Sequence, residues 1–120
     1  MNDDYHLYRV IDKSDWEQLH QNFLLPLTAV DQKDGYVHLS MLEDLAETAR
    51  LHYDFSKGLK ALEFTQLALQ DGLGWHEVPS RGKKFPHYSG VIKSEMINKI
   101  YDLASLLQMA EFKEMNNENS

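Results

Sequence analysis

The order of segments in this 120-residue chain predicts a single α+β domain, with strands and helices in separate layers rather than in a regular βαβ alternation. Three observations carry that expectation. The length suits one domain, which buries roughly 65% of its unfolded surface and so has a core without staples. The periodicity runs β-α-β-α and then through several further β segments. No repeat or low-complexity linker divides the chain.

Tyr5 to Val10 reads as the first strand, because aromatic and β-branched residues crowd it. On alternation His6, Tyr8 and Val10 share one face, and Tyr5, Leu7 and Arg9 the other. Ser14-Asp15-Trp16-Glu17 has the form of a capping box, with Ser14 as N-cap and Glu17 reaching back. The helix it opens is expected to bury Trp16, Leu19 and Phe23 before Pro26 closes the region. Asp34-Gly35 is a turn signal ahead of a strand from Tyr36 to Leu39. Ser40 with Glu43 repeats the capping pattern, and Leu42, Leu45, Ala46, Ala49 and Tyr53 follow at helical spacing.

Leu59 to Thr65 is the next strand, with Leu67 to Leu69 as its extension. Gly72 and Gly74 set a turn around Leu73, and Trp75 to Val78 is a short strand. A loop from Pro79 to Lys84 precedes the Phe85 to Gly90 motif. Ile97 to Leu103 reads as the last strand. Residues 1–103 then form the domain, 104–115 a helix docking on it, and 116–120 a polar, disordered tail.

Composition excludes several function classes. Cysteine is absent, which removes disulfides, thiol catalysis and cysteine zinc sites together. No apolar run reaches the roughly 18 residues of a membrane span. The acidic start Met1-Asn2-Asp3-Asp4 is unlike a signal peptide, so a cytoplasmic protein is expected. A net charge of −7 argues against an extended nucleic-acid surface or an anionic membrane as partner. The loop Ser80-Arg81-Gly82-Lys83-Lys84 is the local exception: it carries +3, leaving −10 on the rest.

Chemistry-bearing residues gather in three aromatic-histidine clusters. Phe85-Pro86-His87-Tyr88-Ser89-Gly90 joins an imidazole and a phenol to a rigid proline and a permissive glycine, so the His87 ring is expected to be presented rather than packed. Gly35-Tyr36-Val37-His38-Leu39-Ser40 places His38 with Tyr36 and Ser40 on a polar strand face, opposite Val37 and Leu39. Tyr5-His6-Leu7-Tyr8 is the third cluster. His20 is set aside as a helix-end residue and His52 as one that borders the core a helical turn beyond Ala49, and alternation turns His76 away from Trp75 and Glu77.

These stretches, together with Trp16-Glu17 and Trp75-His76-Glu77, resemble the domain of unknown function 952 family, in order from about Tyr5 to Leu103. The resemblance implies the split antiparallel β-sheet with flanking helices of the ADP-ribosyltransferase-like fold. That superfamily includes NAD-consuming transferases and RNA 2′-phosphotransferases. NAD is the implied cofactor and a transferase the implied activity. His6 and His38 are the positions that carry over as contacts to ribose and phosphate, and Glu77 is the nearest counterpart of the late-strand glutamate many of those transferases use.

The resulting expectation is a cleft for a nucleotide or other phosphate-bearing ligand. His87 and Glu77 are its candidate acid or base. His6, Tyr36, His38, Ser40, Tyr88, Arg81 and Lys83 are its candidate ligand-binding residues, with Tyr36 or Tyr88 stacking on a ring and Arg81 and Lys83 facing phosphate. His6, His38 and His87 should open onto one concave surface, within about 10 Å of each other, in a pocket of roughly 300–1,000 Å³. Two other classes fit the same residues. One is a histidine and carboxylate metal-dependent enzyme using three histidines and Glu77 around zinc or iron. The other is a non-catalytic interaction module, with Leu103, Leu106, Leu107 and Ala110 of the last helix serving a partner.

Overall fold

A computed structural model describes residues 5–118, with side chains up to Glu111. The acidic start Met1–Asp4 and Asn119–Ser120 of the expected tail lie outside the described residues. Strands β1 (His6–Ile11), β2 (Val37–His38), β3 (Lys60–Thr65), β4 (Leu73–Val78), β5 (Lys83–Tyr88) and β6 (Lys99–Asp102) form two antiparallel sheets, ordered β1-β3-β6 and β2-β5-β4. The sheets meet where Tyr8 and Ser40 exchange backbone hydrogen bonds, each 2.8 Å long. Helices α1 (Lys13–Asn22), α2 (Ala29–Asp34), α3 (Leu45–His52), α4 (Gln66–Leu69) and α5 (Leu103–Glu118) complete this α+β domain.

Alternation along β1 and β3 sorts the core into two clusters. Leu7 and Ile11 join Leu62 and Phe64 against Leu19 of α1, with Val37 and Leu39 beside them. Tyr8, Val10 and Ala61 pack on the other side against Leu45 and Ala49 of α3 and Leu103 and Leu106 of α5. The last helix therefore docks on its own domain, and each such buried aliphatic contributes about 1.5–3 kcal/mol.

Several local expectations are corrected. The N-cap of α1 is Asp12, whose carboxylate accepts from the Asp15 N–H at 2.9 Å, so Ser14 lies inside the helix. Phe23 ends that helix in the left-handed region (φ 61°) and is 67% exposed rather than buried. Ser40 caps nothing; its hydroxyl meets that of Thr48 at 3.1 Å, and a short 3-10 turn precedes α3. Leu67 to Leu69 belongs to α4, capped by Thr65, because a cap there competes with continuing the strand. Gly74 sits inside β4 and not in a turn. The last strand is only Lys99–Asp102; Leu103 already starts α5, whose helical backbone runs through the expected tail as far as Glu118.

A capping box that the sequence reading did not anticipate is complete at Thr28–Asp31. Thr28 Oγ1 accepts from the Asp31 N–H, and the Asp31 carboxylate accepts from the Thr28 N–H. Gly35 then closes α2 at φ 83°, a conformation glycine adopts without strain.

Gly72 is required for a different reason. A Cβ there would collide with the Ser89 carbonyl oxygen and lie 2.9 Å from Tyr88 Cε1. Gly72→Ala is expected to lower stability by about 1–3 kcal/mol through overpacking, read from the urea midpoint. An unchanged midpoint would show that the Ser89 turn yields freely.

Candidate functional site

The register of the second sheet builds the site. His38 pairs with His87, and His87 pairs with Gly74. Cross-strand partners project to one face, so His38 and His87 lie side by side. Gly74 adds no side chain there, and His76, two residues on, fills the space. Val37, Leu39, Leu73 and Tyr88 turn to the opposite face and pack on the first core cluster.

Three imidazoles thus gather around one phenol ring. Tyr36 stacks on His76 at 4.8 Å and 6° between planes, and lies 4.1 Å from His87 and 5.1 Å from His38. The Nδ1 atoms of His76 and His87 approach to 2.6 Å, which requires one to donate and the other to accept. His87 is only 2% exposed, so it is packed rather than presented. Burial, followed by the neighbouring His76 and His38, pushes its pKa down to about 4. At neutral pH it is an uncharged imidazole, able to accept a proton.

A second network lies beneath it. The Asp31 carboxylate, 2% exposed, accepts from Arg9 Nη2 at 2.6 Å and Nη1 at 3.2 Å. It also accepts from the His38 backbone N–H at 3.1 Å and meets His38 Nδ1 at 2.8 Å. The other His38 nitrogen, Nε2, is 2.9 Å from Asp34 Oδ2. Arg9 Nη1 further donates to the His38 carbonyl at 2.8 Å. Burial alone would raise the Asp31 pKa, but hydrogen bonds from His38 and Arg9 and the Arg9 charge outweigh it and hold the carboxyl far below its usual range.

Both networks border a cleft of about 1130 Å³ whose lining includes Asp12, Asp15, Tyr53, Arg81, Phe85 and His87. Arg81 lies over the Phe85 ring at 4.4 Å and donates to Thr48 Oγ1 at 3.2 Å and Glu47 Oε2 at 3.3 Å. Lys83 is held by Asp44 at 3.0 Å. These contacts tie the β4–β5 connection to the start of α3. Among the described residues, seven carboxylates and three lysine or arginine side chains line the cleft.

Of the residues named from sequence, Tyr36, His38, Ser40, Arg81 and His87 line this cleft. Lys83 stands beside it in its ion pair, and Tyr88 is a core contact facing the other way. Glu77 is exposed and touches the cleft margin, but it pairs with Lys84 and shares the Trp75 face, away from His76 and His87. His6 does not line the cleft. It lies 3.8 Å from Glu63, a 3% exposed carboxylate that also accepts from Tyr8, Asn98 and Tyr101. The three histidines that cluster are therefore His38, His76 and His87, and of these His38 and His87 line the cleft. Among the described residues no group of three histidine, aspartate or glutamate side chains is disposed to hold a metal ion.

Sequence reasoning missed Arg9, Asp31 and Asp34. Asp31 had a local signal, the Thr28-x-x-Asp31 spacing. Arg9 had another: a cation in an otherwise apolar strand needs a buried partner.

A family described as a protein of unknown function (DUF952) matches residues 10–100. Protein CC0527 from Caulobacter crescentus is similar in structure: its crystal structure gives a TM-score of 0.72 at 25% identity, covering 81% of this chain and 84% of that one. The solution structure of CC0527 gives 0.69 at 25% identity, covering 81% and 83%. No curated protein matches the chain.

Proposed function

The chain belongs to the DUF952 family, and on that footing we propose that it has an ADP-ribosyltransferase-like split sheet whose cleft binds NAD or a closely related nucleotide. The observation that carries this reading is Tyr36 with the His38 and His87 imidazoles on the lining of a nucleotide-sized cleft, and His76 stacked on the same phenol ring. Flat rings and paired imidazoles suit a stacked heterocycle with ribose hydroxyls beside it, since neutral imidazole both donates and accepts. Arg81, held by Thr48 and Glu47 in the cleft lining, would be the cation that meets a phosphate.

Charge narrows the ligand further. Seven carboxylates against three basic side chains oppose a polyanion such as ATP. The oxidised nicotinamide ring is cationic, and an aromatic wall among carboxylates favours it. In transfer chemistry the acceptor would form its bond to the ribose C1′ as the bond from C1′ to nicotinamide breaks, nicotinamide would leave uncharged, and the uncharged His87 would take the acceptor's proton.

Calorimetric titration with NAD⁺, ADP-ribose and ATP tests this. NAD⁺ is expected to bind most tightly and ATP at least tenfold more weakly. Tyr36→Ala should weaken NAD⁺ binding tenfold or more, in line with about 1–3 kcal/mol per stacked base. No binding heat with any of the three, or ATP equal to NAD⁺, would overturn the reading.

A further inference from the structure

A second groove, of about 360 Å³, lies away from the cleft, between α1 and the stretch that leads into β6. β6 is the outer strand of its sheet and, among the described residues, pairs with β3 alone, which leaves its other edge without a strand partner there. Open edges of this kind are templates for an added strand. Ile100 on this edge is 46% exposed, and the groove beside it is walled by Trp16, Phe23 and Ile97.

Phe23 is the unusual residue. It occupies the left-handed position that ends α1, where glycine or asparagine is the ordinary choice, and a bulky side chain there is a genuine outlier. Its backbone is tied into the fold: its N–H donates to the Leu19 carbonyl at 2.8 Å, and its carbonyl accepts from the Ser94 N–H at 2.9 Å. Its ring stays 67% exposed. Strain and exposure together are unexplained by folding, and strained residues that persist cluster at functional positions.

Charge identifies the occupant. On a chain of net charge −7, the described residues that line this groove include Lys99 and His20 and no carboxylate. Lys60 adds a further cation, 5.3 Å over the Trp16 ring. We propose that the β6 edge and this groove receive an extended segment of another protein, added as a strand, in which apolar residues alternate with acidic ones. Main-chain hydrogen bonds to the edge would give affinity, and alternate side chains dropping beside Phe23 and Ile100 would give selectivity. A second copy of this acidic chain is the less suitable occupant, since like net charges oppose its approach.

The test uses the full chain and one substitution that separates docking from folding. Phe23→Gly removes the ring and relieves the left-handed backbone, so its melting temperature should equal or exceed that of the wild type. The probe is a displayed library of random decapeptides. Selected peptides should alternate apolar and acidic residues and bind at least tenfold more weakly to Phe23→Gly and to Lys99→Glu. A lowered melting temperature for Phe23→Gly would make the ring structural and overturn the proposal. So would a library that yields no such pattern, or a wild-type dimer in sedimentation that Phe23→Gly dissolves.

Discussion

Asp31→Ala is expected to destabilise the protein by about 3–5 kcal/mol, the cost of leaving a buried charge without its partner. The charge is Arg9, 6% exposed, which would lose both of its bonds to the carboxylate. The same substitution frees the His38 backbone N–H and opens the cap of α2 at Thr28. For a domain whose whole stability is about 5–15 kcal/mol, that is a large share. Replacing both partners, Arg9→Met with Asp31→Leu, should be less damaging than Asp31→Ala alone, because no charge is then stranded. Denaturant midpoints of the single and double variants decide it. A loss below about 1 kcal/mol for Asp31→Ala would mean that water reaches Arg9 and that the network holds little.

Mild acid should weaken the fold through His87. Its folded pKa of about 4 lies below the ordinary histidine value of 6.5, so the unfolded chain binds the proton more readily. Its contribution is complete above pH 6.5 and is lost as pH falls from there towards 4, by about 3 kcal/mol. Burial is the first cause of that shift, and its neighbours His76 and His38 are the next.

The depressed carboxyls of Asp31 and Glu63 act lower, below their ordinary values near 4. Asp15, raised by burial and by Asp12, works in the opposite sense above its ordinary value. The interval from pH 6.5 to about 4.5 is therefore where His87 dominates the difference between the wild type and His87→Asn. Unfolding free energies measured across it should slope in the wild type and flatten in the variant. Equal slopes would place the titration elsewhere.

Alternation within a segment was enough to read much of this protein. It divided β1 into the Leu7 and Tyr8 faces that now enter separate core clusters, and it set His38 opposite Val37 and Leu39. It also found the stripe of α3, with Leu45 and Ala49 fully buried. These are local properties, because a strand's period of two and a helix's of 3.6 are dictated by backbone geometry.

The composition of the site was decided only by tertiary structure. Whether His38 meets His6 or His76 depends on which strands pair and in what register, and no single segment encodes that. The pairing of His38 with His87 and of His87 with Gly74 brought His76 in, while β1 paired with β3 and took His6 to Glu63. A one-residue shift in that register would reverse every face of the strand. The Arg9–Asp31 pair likewise joins positions 22 residues apart. Its chemistry was visible at each end, but its existence depended on α2 folding back over β1, which the packing of the whole chain determines.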